Sequence, residues 1–184
     1  MLRRLILAVL SVLLLSSAMS GARAWSNGGF STDPSNPKYG THDWIAEHAL
    51  DWLPASEKQY LVTYITTYLY ATELPDQTST AVADHIGDTT KHHIYFRSDG
   101  SLQDDAAATR ASEEFTAALS HLKARRKQEA AQRAGVMSHY IADMAVFGHV
   151  MGSGTDWGAE EHHQDYEDYV KERTGMTRFG SVVY

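Results

Sequence analysis

The first hydrophobic pattern in the chain is an uninterrupted run. Leu5 to Leu15 is almost continuously apolar, behind Arg3 and Arg4 and ahead of Ala22-Arg23-Ala24. A basic end, an apolar middle too short to span a bilayer comfortably and a small-x-small site are the parts of a signal peptide. The chain therefore reads as a signal peptide over 1–24 and one domain over 25–184, secreted or periplasmic once cleaved. No second apolar span follows, so the mature chain is expected to lack a transmembrane segment and to touch a membrane at most peripherally.

Beyond residue 40 the apolar positions recur at helical spacing. Thr41 predicts a helix start for "HDWIAEHALDWL", stopped at Pro54. A second helix starts at Ser56, with Leu61, Tyr64, Ile65 and Tyr68 on one face. Its Thr and Tyr content also suits a strand, but its length favours helix. Residues 73–100 carry many turn formers and read as a long irregular segment. Helices follow over about 103–122 and 128–148, with the basic "KARRK" between them as a solvated corner. "MGSGTDWG" is a loop, and "AEEHHQDYEDYVKER" is a last helix. There are no internal repeats. The pattern predicts an all-α fold, a compact domain of about five helices.

Charge narrows the function. The chain has 16 basic and 23 acidic residues, and the first 24 residues hold three Arg and no acid, so 25–184 carries 13 − 23 = −10. That balance argues against a stable nucleic-acid partner. There are no cysteines, so an exported domain must rely on its core or on bound metal. All ten histidines lie after residue 24, which invites a metal reading.

The histidines fall into patterns. His139 and Asp143, four apart, project from one helix face, and His149 follows six later. His163 and Glu167 repeat the four-residue spacing on the last helix. Taken singly, each pair also suits a buried hydrogen bond or a solvated charge pair; two pairs with His149 between them favour metal ligation. The 73–100 segment adds Asp76, Asp84, Asp88, His85, His92 and His93. Spacing does not choose between His92 and His93, nor among the three aspartates. His42 opens the first helix, and His48 and His121 read as structural or surface residues.

Together these residues resemble the zinc-dependent phospholipase C family, whose distant relatives are the single-strand-specific zinc nucleases of fungi. The family's order of His, Asp four on, His six on, His fourteen on and Glu four on is matched by His139, Asp143, His149, His163 and Glu167. "THDWIAEHAL" matches its His-x-Trp-Ile helix start and carries His42. Asp76 and "HHIYF" match its loop, pointing to His93. Trp25, directly after the cleavage site, matches its N-terminal tryptophan.

The resemblance implies three Zn²⁺ per chain. One takes Asp76, His93, His139 and Asp143. A second takes His149, His163 and Glu167. A third takes His42, Asp143 and the freed α-amine and carbonyl of Trp25. It implies hydrolysis of a phospholipid or other phosphodiester by metal-activated water, with Asp76 as general base. The aromatic choline box does not map, since Gln77 and Thr90 stand at its positions, so the headgroup is left open. The alternatives are a zinc nuclease or phosphomonoesterase on the same scaffold, with Tyr95, Phe96, Trp157 and Tyr166 available for stacking, or a non-catalytic zinc-binding domain. A di-iron bundle is remote, because Glu160 and His163 make only one Glu-x-x-His motif.

Overall fold

The computed structural model describes residues 25, 30–33, 35–36, 38–78, 86–152, 155 and 161–174. The signal-like segment, Asp84, His85 and Trp157 lie outside these. The fold is all-α. Among the described residues seven α-helices run in order: α1 (Thr41–Ala49), α2 (Ala55–Thr63), α3 (Ile65–Ala71), α4 (Ala106–Lys123), α5 (Lys127–Asp143), α6 (Phe147–Met151) and α7 (His163–Thr174). A small antiparallel pair, β1 (Tyr95–Phe96) and β2 (Leu102–Asp104), sits between α3 and α4.

The count exceeds five because two expected helices are each broken. The second breaks at Tyr64, whose φ of −111° and ψ of 36° leave the helical region. The hydroxyl of Thr63 donates to the Gln59 carbonyl there, which competes with helix continuation. The break turns Tyr68, Leu69 and Ala71 into the core. The helix begun at Lys127 ends at Asp143, and Val146 adopts extended backbone before α6 starts. Val146 is buried against Trp25 and Ala142, so tertiary packing makes this break where "MAVF" carries no helix breaker. The third expected helix starts late, because Leu102–Asp104 pairs with β1 instead. The basic corner at 123–127 is exposed, as its charge requires.

Helix α5 is the hub. It packs against α1, α2, α3 and α4, and it contributes to all three apolar clusters. Small residues make this possible: Ala130, Ala131, Ala134 and Gly135 are all buried on it. Gly135 meets α3 so closely that a Cβ would collide with the Tyr68 carbonyl oxygen and the Ala71 side chain. Four and eight residues further along the same face stand His139 and Asp143, both fully buried. The hub that organises the core thus also carries polar groups into it.

Candidate metal centre

His139 is fixed from behind. Its Nδ1 donates to the Thr72 carbonyl at 2.6 Å. A carbonyl only accepts, so Nδ1 holds a proton and Nε2 faces the cluster. Thr72, just past α3, is held in turn, since its hydroxyl lies 3.2 Å from Asp43 Oδ1 and donates to it. Asp43 also accepts the Gly40 N–H at the start of α1, at 2.9 Å. A buried chain of hydrogen bonds therefore ties the start of α1 and the end of α3 to the ring on α5.

Around His139 Nε2 the side chains converge. Asp143 Oδ2 lies 3.2 Å away, His92 Nδ1 3.3 Å and Asp76 Oδ1 3.9 Å. His92 Nδ1 is also 3.1 Å from Asp143 Oδ2 and 3.5 Å from Asp76 Oδ1. On the other side His42 stacks on His139, with centroids 4.1 Å apart, and its Nε2 is 3.5 Å from Asp143 Oδ1. Two ligand triads result, His42–His139–Asp143 and Asp76–His92–His139, and both use His139.

A third triad is His149, His163 and Glu167. Glu167 Oε1 lies 2.6 Å from His163 Nε2 and 3.5 Å from His149 Nε2. The turn after Asp143 brings His149 round to face α7. Gly148 leaves room for the His163 ring, which a Cβ there would strike. The His92 and His149 rings are 6.5 Å apart, so the third triad adjoins the other two.

The electrostatics follow from burial and neighbours. Burial raises the Asp143 carboxyl, but His139, His42 and His92 outweigh it and hold the group well below the usual range. Burial also opposes the charge on His139, yet Asp143, Asp76 and Glu73 raise it to about 9. Glu167 is lowered by His149 and His163 against its own burial. Asp76 goes the other way: burial raises it, and nearby Asp143 and Glu167 add to the rise against the pull of His139 and His92.

These residues fit a cation. Among the described residues, both oxygens of Asp76, of Asp143 and of Glu167 are buried without an aligned hydrogen bond. Buried carboxylates so placed are costly unless something positive meets them. The donor set, imidazole plus carboxylate, is that of Zn²⁺.

Most of the residues singled out from sequence come together here: His42, Asp76, His139, Asp143, His149, His163 and Glu167. His93 does not. The turn at Thr89–Lys91 delivers His92 inward, and His93 begins the extended run to β1, where successive side chains alternate. Its Nε2 lies 3.0 Å from Asp104 Oδ2, its ring stacks on Tyr95 at 4.1 Å, and it pulls the Asp104 carboxyl below its usual range. His92 occupies the place that the resemblance gave to His93. Trp25 is buried, with its indole 5.5 Å from the His42 ring and its φ at 43°, uncommon for a bulky residue. Asp88 binds Tyr140 and Arg110. His48 is an exposed partner of Asp51. Asp43 also accepts a local bond at the helix start, but its support of His139 through Thr72 spans the chain and leaves no local sequence signal.

Beside the centre lies a cavity of about 600 Å³, lined by apolar groups including Trp25, Trp44, Leu61, Met137, Ile141 and Tyr166. It shares Trp25 with the wall of the centre.

Fold and site together define an all-helical domain with a buried histidine–carboxylate centre suited to zinc. The family model for zinc-dependent phospholipase C matches residues 41–178, and the chain belongs to that family. The class it names is a zinc hydrolase of the phospholipase C type. Comparison with curated proteins and with solved structures gives no match. Among the described residues no helix is long and apolar enough to cross a membrane.

Proposed function

We propose that the protein is an exported phosphodiesterase that hydrolyses phospholipid with three zinc ions per chain. The observation that carries this is the convergence of three adjoining ligand triads, with both oxygens of Asp76, Asp143 and Glu167 buried and without an aligned hydrogen bond. Asp76, His92, His139 and Asp143 would hold one ion. His149, His163 and Glu167 would hold a second. His42, Asp143 and the main chain of Trp25 would hold the third. Zinc there supplies an activated water and neutralises the charge of a phosphodiester. Asp76 takes the proton of the attacking water on a carboxylate oxygen, and His139, fixed by Thr72, holds its ring in place meanwhile.

Removal of 1–24 releases the α-amine of Trp25, whose indole already packs beside His42. A free α-amine has a pKa of roughly 8, so it competes well for zinc near neutral pH. The apolar cavity favours lipid over nucleic acid, because its lining suits hydrocarbon and brings no cation to a phosphate backbone. Contact with the membrane is then peripheral.

A substrate panel tests the reading. It comprises phosphatidylcholine, other phospholipids, single-stranded DNA and RNA, and a phosphomonoester, each with and without chelator. Chelator-sensitive phospholipid cleavage with weak headgroup selectivity is expected. Activity confined to nucleic acid would make the protein a nuclease, and zinc uptake without any turnover would make it a binding domain.

A further inference from the structure

Asp88 is one of three loop aspartates, and the centre described above does not use it as a ligand. It stands behind His92. The inner nitrogen of that ring, Nδ1, faces Asp143, His139 and Asp76. The outer nitrogen, Nε2, is buried without a hydrogen bond, and Asp88 Oδ1 lies 3.9 Å from it. Residues 88 and 92 flank the turn at Thr89–Lys91, which is closed by the Lys91 N–H donating to the Asp88 carbonyl at 2.8 Å. The turn that sends His92 inward therefore also places Asp88 at its back.

Asp88 is itself held firmly. The Tyr140 hydroxyl donates to its carboxylate, 2.7 Å from Oδ1 and 2.8 Å from Oδ2, and Arg110 Nε donates to Oδ2 at 3.0 Å. Arg110 is braced by Glu113 and by Glu114, and Glu114 by Arg133 at 3.1 Å. This network runs from α4 across α5 to the loop and ends at Asp88, 3.9 Å from one ring nitrogen. Tyr140 adjoins His139 in sequence, so one helix end supports both rings.

We propose that Asp88 is a positioning residue for His92: its carboxylate draws the ring proton to Nε2 and leaves the lone pair on Nδ1, the nitrogen that faces the centre. A carboxylate beside one imidazole nitrogen favours the proton there, and a ligating histidine needs the other nitrogen bare. The inference rests on the zinc reading of the centre. It adds that the long network around Arg110 serves zinc affinity as well as packing.

The test is zinc binding by Asp88→Asn in the mature chain, titrated against a chromophoric chelator, with ¹⁵N spectra of the His92 ring in the wild type. The variant should bind zinc roughly 10–100-fold more weakly, the usual cost of losing an outer partner of a ligand. Its metal-free melting temperature should stay near that of the wild type, and Asp88→Glu should recover part of the affinity. Glu113→Gln, at an exposed partner of Arg110 that does not touch Asp88, should weaken zinc binding far less than Asp88→Asn. The wild-type ring should carry its proton on Nε2 and ligate through Nδ1. Unchanged affinity in Asp88→Asn overturns the proposal, as does ligation through Nε2 of His92. Should Asp88→Asn fail to fold, the ring spectra decide alone. A wild type that takes up no zinc fails the underlying reading instead, an outcome distinct from these.

Discussion

The ring of His139 is clamped to the carbonyl of Thr72 by a 2.6 Å hydrogen bond that crosses from α5 to the end of α3. The same two helices touch one turn earlier, at Gly135, where a Cβ would collide with the Tyr68 carbonyl oxygen. Gly135→Ala should therefore do two things at once. Overpacking at a helix contact costs about 1–3 kcal/mol, measurable by denaturant unfolding of the metal-free protein. The separated helices should also loosen His139, so zinc affinity should fall further than unfolding accounts for. Wild-type zinc affinity in a destabilised Gly135→Ala would show that the two are not linked.

Adjacent histidines in the loop should behave oppositely. His92→Ala removes a ring from the Asp76–His92–His139 triad. Activity should drop by more than the ~10–100-fold that loss of an outer partner brings. His93→Ala removes only a partly exposed ring paired with Asp104, and activity should stay within a few-fold of wild type. The comparison needs only initial rates at matched zinc.

The metal-free protein should lose stability as pH rises. Asp143 and its neighbours lift His139 from 6.5 to about 9. The protonated ring is favoured in the folded state, so its contribution is fully present below pH 6.5 and fades as pH rises through about 9. Asp143 is depressed, so its contribution is present above 3.8 and is lost as pH falls toward its folded value. Melting curves of stripped protein across this range check both signs. Zinc uptake at neutral pH should release protons, which calorimetry in buffers of different ionisation enthalpy detects.

An extra residue in front of Trp25 should weaken zinc binding more than Trp25→Ala with a free amine. The extension turns the amine into an amide, which has no lone pair to give, whereas Trp25→Ala costs only the packing of the indole on Ala142 and Val146. Elemental analysis of both proteins decides it. Full zinc content and activity in the extended chain would remove Trp25 from the ligand set.

Chelation should lower the melting temperature of the mature protein markedly, because a ligand bound only to the folded state stabilises it by mass action. An unchanged curve would mean that the centre holds no metal in solution.

The parts of the centre that obey a helical period could be read from sequence. His139 with Asp143, and His163 with Glu167, are each four apart, and the structure puts each pair on one inward face. His92 could not be told from His93, because a turn rather than a period decides which of two neighbours points inward. The break after Asp143 was equally hidden: nothing in "MAVF" forbids a helix, and Val146 leaves it to pack on Trp25. Asp43 and Thr72 support His139 across the fold, and no local pattern marks such contacts.

Two of the three triads have a simple ancestry along the chain. Two members of the first, His139 and Asp143, share one helix, as do His163 and Glu167 of the third, while His42 and His149 come from elsewhere. A lone helix offers an ion only two atoms, and the remaining one arrives when distant segments have met. Closing such long loops is slow and entropically costly. Metal loading should then wait on tertiary assembly, and seated ions would tie His42 to Asp143, Asp76 to His92 and His149 to Glu167, much as cross-links do in chains that have cysteines to spend.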